Sequence, residues 1–424
     1  MTRTAPVGTA PVALRHNVNF RLLWAGEGIS VLGAMTTTVV VPLLAVTSFD
    51  AGPGWMGLLT AAAWLPWLVV GLPAGAWVDR LDPRRVMIVA DLVAALAVGS
   101  VPVAYLLGVL DLPHLLAAAL ASGTCAVFFR TAYGAFVPRV VREEDLDAAN
   151  GRLYGTESAM QVAGPGLGGL LVQLVGAALA VVADVVSFLA SALCLWRMDP
   201  AALRPPPERP AREPLRREIA DGVRIVRRDR YLRYFTLQGA ASNFALTGYG
   251  ALLVLFLVRD LGVEPATVGL LVAAGSVGGL VGAAVATPLA RRVGTARAMR
   301  WLQLLGGPTA LLVPLAAPGP RVALVPVGVA LVGVGVVGAN VVRSAFRQRW
   351  TPPTLLGRTM SASSVLNFGT MPVAGVVAGW LGSSLGVRPT ILVRTALHAL
   401  VSATVLVGPY RRGRDLPEGR LDDA

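Results

Sequence analysis

The chain has 424 residues, 55% of them hydrophobic and only 14% charged, with a net charge of +13. A water-soluble domain carries about 25% charged residues, so this is the composition of a membrane protein. All 37 basic residues are arginine, and without lysine no Gly-Lys-Ser/Thr phosphate loop can be written, which excludes that class of ATPase. Cys125 and Cys194 lie in separate apolar runs, and His16, His114 and His398 are scattered, so neither a disulfide framework nor a metal set is expected.

Apolar runs of about 20 residues, enough to cross a bilayer, recur. Their centres lie near Leu32, Leu68, Ala97, Ala126, Ala163, Val186, Ala245, Val277, Leu311, Val332, Met371 and Ala399. The first run is too long for a secretory h-region and lacks an A-x-A site, so no cleaved targeting peptide is expected. It carries Glu27, an acid within a span. Such groups are costly in a membrane and are functional candidates by default, here for loading a proton or attracting a cationic cargo. After the second run comes GAWVDRLDPRR, Gly75 to Arg85, with Asp79, Arg80, Arg84 and Arg85, a charged turn that must lie in water. Asp91 is read as starting span three and joining Asp79 and Arg84 in a gate network of charge pairs. Arg130 in span four is a counter-charge candidate for Glu27.

Span five reads GTESAMQVAGPGLGG, with Gly155, Gly164, Pro165, Gly168 and Gly169. Glycines let a neighbouring helix approach, and Pro165 removes a backbone donor. The expected neighbour is span eight, through Gly275 with Gly279 and Gly278 with Gly282. Glu157 in span five is read as a solvated group near the membrane surface. Asp184 in span six and Arg394 in span twelve are proton or substrate candidates, as are Asn243 and Asn367. Asn340 is a further polar candidate. Trp64 and Trp67 are candidates to line a route for a hydrophobic cargo.

Arginine clusters sit before span one, in alternate loops and after span twelve, eleven of them between Arg197 and Arg233. Arg343, Arg347, Arg349 and Arg358 are placed around the link after span ten. By the positive-inside rule both termini and the middle loop are cytoplasmic. The division expected is a six-helix bundle over 1–199, a linker over 200–229, a second bundle over 230–410 and a cytoplasmic tail over 411–424. The linker stretch RPPPERPAREPLRRE is too rich in proline and charge to pack, and its basic face suits anionic lipid rather than nucleic acid. A shift of 212 residues lays AGAWVDRLDPRRVM over ATPLARRVGTARAM, placing Arg80 on Arg292 and Met87 on Met299, as two parallel repeats would.

The pattern Gly75, Asp79, Arg80, Arg84, Arg85 resembles the helix 2–3 loop of the major facilitator superfamily. The Gly155 to Gly169 string resembles the fifth-helix motif of its antiporters. NFRLLWAGEGISVLG, VPRVVREEDLDAANGRL and the run from Arg347 to Gly379 are similar to its drug, siderophore and macrolide exporters, the enterobactin exporters among them. The resemblance implies an all-α polytopic membrane protein of the major facilitator fold, with about 12 helices in two six-helix repeats. It implies a secondary transporter that exports a hydrophobic or amphipathic small molecule by proton antiport and alternating access, from the inner membrane of a bacterium. The partners expected are that molecule, protons and lipid, with no nucleic acid and a monomeric chain. A nutrient importer and a non-transporting scaffold are the alternatives; no nucleophile, base and orienter converge to suggest an enzyme.

Overall fold

A computed structural model describes residues 14–78, 80–204, 215–417 and 419; Asp79 and the 205–214 part of the linker lie outside the described residues. Among the described residues there is no strand. The helices are α1 Val18–Phe49, α2 Pro53–Val69, α3 Gly71–Val78, α4 Pro83–Leu106, α5 Leu112–Val140, α6 Leu146–Val175, α7 Ala177–Ala180 and α8 Val182–Trp196. They continue with α9 Leu215–Arg228, α10 Arg230–Leu255, α11 Pro265–Val293, α12 Thr295–Thr309, α13 Leu324–Trp350, α14 Pro353–Leu385 and α15 Val387–Ala403. Among the described residues ten helices are long and apolar enough to cross a membrane. The second span is split into α2 and α3 at Val70, and the ninth, α12, is only 15 residues long. The sequence places that ninth span near Leu311; the helix instead begins at Thr295, because its first turns carry Arg297 and Arg300 and escape a search for apolar runs.

Chain entry into each helix follows local chemistry. Asn17, Asp82, Asp111 and Asp229 each accept a backbone N–H with the side chain, capping α1, α4, α5 and α10. Pro53, Pro83, Pro265 and Pro353 open helices at positions where the missing N–H costs nothing.

The α1–α8 and α10–α15 bundles share one apolar core at one end only. Val39, Val40, Leu43 and Leu44 of α1 join Tyr249, Leu252 and Leu255 of α10 and Val268 of α11 in a single cluster. At the end that carries the chain termini the core is divided. Phe20, Leu23, Met87 and Phe136 pack within the first bundle, and Tyr231, Phe235, Met299 and Phe346 within the second. The molecule is therefore closed at the far end and parted at the terminal end. An ion pair between Arg259, just after α10, and Asp50, the cap of α1, crosses the closed end.

The two bundles repeat a clamp. Arg84, in the first turn of α4, donates through Nε to Leu195 O at 2.7 Å, and through Nη2 to Trp196 O at 2.6 Å and Met198 O at 2.9 Å. Arg300, in α12, donates through Nη1 to Tyr410 O at 2.8 Å and to Arg411 O, and through Nη2 to Gly413 O at 3.0 Å. The first arginine satisfies the carbonyls that close α8, the second those that follow α15. Pro83 and Thr295, which open α4 and α12, are 212 residues apart, and Met87 and Met299 are both fully buried. The shift seen in the sequence is thus the register of the helices, while the clamping arginine of the second bundle sits one turn further on.

Beyond α15 the described segment around Asp415 and Leu416 docks on α12. Thr295 N donates to Asp415 Oδ1 at 2.8 Å, Leu416 N to Thr295 Oγ1 at 2.8 Å, and Leu416 is buried with Phe346 and Met299. Arg300→Ala is expected to lower stability by about 2 kcal/mol, since it strips charge-assisted hydrogen bonds from three carbonyls. Thermal unfolding in detergent reads this directly; an unchanged midpoint contradicts the clamp.

The linker is not wholly irregular. After the Pro-rich stretch, Ile219, Val223 and Val226 recur at helical spacing and form α9, which packs on α14 with Val226 buried and Asp221 3.4 Å from Arg358 Nη1.

Candidate functional site: the cleft between the bundles

Two seams join the bundles, α2 against α14 and α6 against α11. α4 and α8 pack behind α5 and α1, and α12 and α15 behind α13 and α10. The space between the seams is therefore bounded by α1 and α5 on one side and by α10 and α13 on the other. It opens at the terminal end, where the two apolar cores part.

The first bundle presents acids to this space. Glu27 of α1 is 8% exposed, and Arg130 Nη1 of α5 lies 3.6 Å from its Oε1. Arg130 Nη2 donates to Glu157 Oε1 of α6 at 3.1 Å. One guanidinium thus bridges two carboxylates from two other helices. The Arg130 side chain is 45% exposed, so water reaches the bridge, while Glu27 Oε2 is buried and accepts no hydrogen bond. Glu157, read from the sequence as merely solvated, is a full member of this bridge. Trp24 Nε1 donates to Thr156 Oγ1 at 2.7 Å beside it, tying α1 to α6. Deeper in, Asp184 Oδ2 accepts from Thr37 Oγ1 at 2.6 Å, and its Oδ1 from Ser187 Oγ at 3.1 Å.

Of the gate network read from the sequence, Asp79 lies outside the described residues, and the two described members, Arg84 and Asp91, do not pair with each other. Arg84 spends its donors on the α8 carbonyls. Asp91 lies two turns inside α4, is 2% exposed and faces Ser191 of α8, with Oδ2 unpartnered. Arg80 is exposed, and Arg85 Nε lies 4.0 Å from Asp82 Oδ2 at the surface. Asp82 also accepts from Arg139 Nη1 at 3.2 Å. Nothing lies within 4 Å of where a Cβ on Gly75 would sit.

The second bundle presents bases and amides. Arg343 of α13 is 8% exposed and donates to Gln238 Oε1 at 3.2 Å. Asn243 Nδ2 lies 3.4 Å from Asn367 Oδ1, joining α10 to α14. Arg394 is 1% exposed; it stacks 4.4 Å from the Phe244 ring centroid, donates to Ala374 O at 3.2 Å, and has Nε unpartnered. His398, one turn on, meets Ser242 Oγ at 3.2 Å through Nδ1. The sequence reading places Arg343 and Arg347 around the link after span ten; both lie in the C-terminal part of α13. Their signal was the four-residue spacing, which stacks them on one helix face.

A family model for transmembrane secretion effectors matches residues 8–415. The chain belongs to this family. Two relatives in sequence are the multidrug efflux pumps Tap of Mycolicibacterium fortuitum, 26% identical over 94% of this chain and 96% of that one, and of Mycobacterium tuberculosis (strain ATCC 25618 / H37Rv), 28% identical over 94% of each. In structure the chain is similar to a bacterial homologue of the iron transporter ferroportin. The inward-facing form of that protein gives a TM-score of 0.73 at 18% identity, over 95% of this chain and 100% of that one. Its outward-facing form gives 0.59 at 20% identity, over 92% and 98%. The fold is the major facilitator fold, and this secretion-effector family member is a multi-pass membrane transporter of small molecules, not an enzyme.

The glycine motif of this transporter divides its work. Gly164 and Gly168 face α1 of their own bundle, where a Cβ on Gly168 would meet Thr36 O at 2.7 Å. Gly169 faces the other bundle: its partner is Gly269 of α11, and a Cβ on Gly269 would lie 3.0 Å from Gly169 Cα. Gly155 faces open space. The paired glycines of span eight do not meet α6 as expected. Gly275, Gly278, Gly279 and Gly282 lie against Val329, Ala330, Val334 and Val337 of α13, because they occupy the face of α11 opposite to Gly269. The second seam mirrors the first: a Cβ on Gly57 of α2 would meet Gly379 Cα of α14 at 2.7 Å. Trp64 and Trp67 extend that seam, with ring centroids 6.0 and 5.3 Å from Phe368 of α14.

Proposed function

We propose that this transporter exports hydrophobic or amphipathic small molecules, drugs among them, by exchange with protons across the inner membrane of a bacterium. The observation that carries the reading is the Glu27–Arg130–Glu157 bridge at the wall of a cleft that is open at one end and sealed by glycine crossings at the other. Arginine clusters in alternate loops support placing the termini and the open end in the cytoplasm. The better match to the inward-facing form of the ferroportin homologue supports the same orientation, and the relatives' names support export.

The geometry supports the following cycle. Cargo enters the open cleft from the cytoplasm. Glu27 is nearly out of water and holds only half of a shared guanidinium, so a proton and Arg130 compete for it. A protonated Glu27 frees Arg130 to serve Glu157 alone, and an ionised Glu27 draws it back. That exchange changes the link between α1 and α5, two helices that bound the cleft, and biases the two bundles between opening inward and opening outward. The glycine crossings let α2 and α6 slide on α14 and α11 with little side-chain bulk to clear. The chain carries out this cycle as a monomer, with its two bundles divided by the 200–229 segment.

Ethidium efflux from cells making the protein tests the reading. Efflux is expected to stop when a protonophore collapses the gradient. Efflux unchanged by the protonophore contradicts proton exchange, and no efflux of any amphipathic dye contradicts drug export.

A further inference from the structure

Beside the cleft the first bundle carries Glu27 and Glu157, whereas the second carries Arg343 and Arg347, which have no carboxylate partner among the described residues. We propose that Arg343 and Arg347 of α13 bind an anionic group on the cargo, a carboxylate, sulfonate or phosphate carried by a largely apolar molecule. The proposal rests on the export reading and names the cargo class of that same cleft.

Arg343 is nine-tenths buried, yet among the described residues neither it nor Arg347 has an Asp or Glu within ion-pair distance. Its partners are uncharged. Nη2 donates to the amide oxygen of Gln238, the guanidinium carbon lies 5.8 Å from the Phe235 ring centroid, and Nε has no partner. Arg347 follows one turn later on the same helix and is partly exposed, so two like charges are stacked. A buried charge without a counter-charge is costly and is retained where a ligand supplies one. Arg130, on the opposite wall, shows the compensated case, with two glutamates on one guanidinium.

The surroundings admit a ligand and would hydrogen-bond it. Gly239 of α10 has no side chain at the point where a Cβ would lie 3.1 Å from Arg343 Nη1 and 2.7 Å from Asn367 Oδ1. Asn340, one turn before Arg343, is exposed on a helix that bounds the cleft. An arginine fork with amides on both sides and aromatic rings behind it is suited to an oxyanion attached to a ring system. The apolar remainder of the cargo would rest against Trp64, Trp67 and Phe368 of the α2–α14 seam.

The test uses the full chain in lipid nanodiscs and two fluorescent probes with the same rings, 8-anilinonaphthalene-1-sulfonate and the uncharged N-phenyl-1-naphthylamine. Binding is taken as the saturable signal above empty nanodiscs. The wild-type protein is expected to prefer the sulfonate by at least about tenfold. Arg343→Gln and Arg347→Gln should each shrink that preference to about threefold or less, while the neutral probe binds as before, and Arg343→Lys should restore part of it. Equal binding of the two probes to wild type overturns the proposal. So does a preference that survives both glutamine variants, or an equal loss of both probes, which marks a packing role. Efflux of the neutral probe from cells separates the two readings. Export of the neutral probe with no sulfonate preference in binding sinks the cargo class and leaves export standing. Export of neither probe sinks the export reading, and the sulfonate preference still decides the site.

Discussion

Glu27→Gln is expected to abolish gradient-driven efflux, by at least about tenfold, while cargo binding in the absence of a gradient stays within about threefold of wild type. The amide keeps the size of the side chain but can neither hold a charge nor release a proton. Arg130 loses a partner 3.6 Å away and keeps Glu157 at 3.1 Å, so its charge is not stranded. Because Arg130 is 45% exposed, the loss of stability should stay within about 1 kcal/mol. Glu157→Gln is the matched control. It removes the shorter contact but leaves the buried carboxylate in place, and efflux should fall by no more than about threefold. Rates in energised vesicles, with unfolding midpoints for both variants, decide the matter. If Glu157→Gln is the more damaging, the proton resides on α6 rather than α1.

Bulk at the glycine crossings should be as damaging, for a steric reason. In Gly57→Leu or Gly269→Leu the new Cβ would meet backbone of the opposite bundle at 3.0 Å or less, and backbone has no rotamer with which to yield. The closed end must then part, and efflux should drop by at least about tenfold in either variant. A cysteine at exposed Asn340, in a background without Cys125 and Cys194, reports the conformation. An impermeant maleimide added on the side of the closed end should label it in the leucine variants and not in the parent. Gly155→Ala provides the contrast. It changes a position of the same family pattern, but nothing lies within 4 Å of its Cβ, so transport should stay within about twofold of wild type. Loss of activity in Gly155→Ala with normal transport in Gly57→Leu contradicts this account of the seams.

Much of this architecture was legible in the chain because a bilayer imposes a simple code. Apolar length gives the spans, and glycine marks close approach. That code located α1, α6 and Glu27 and gave the 212-residue register that α4 and α12 share. It failed where a helix is not apolar. The first turns of α12 and the last turns of α13 look like loops because they carry arginine, and so Arg300, Arg343 and Arg347 read as residues of the links rather than of helices. Partners were less legible than positions. A guanidinium next to acids in sequence invites an ion pair, yet Arg84 donates to three carbonyls at and just beyond the end of α8, more than 100 residues away. The glycine pairs of α11 failed for a similar reason, since spacing gives a smooth face but not the helix that covers it. The choice of α13 depends on how the bundle closes.

The most direct test of proton exchange is a reconstituted one. Purified protein in liposomes that enclose a pH-sensitive dye, with no initial pH gradient, is given amphipathic cargo on one side only. The account requires cargo entry to move protons the opposite way, so that the lumen turns alkaline at a rate that follows the cargo, and it requires Glu27→Gln to abolish that change. Cargo that crosses at the wild-type rate while the lumen pH stays constant would contradict it.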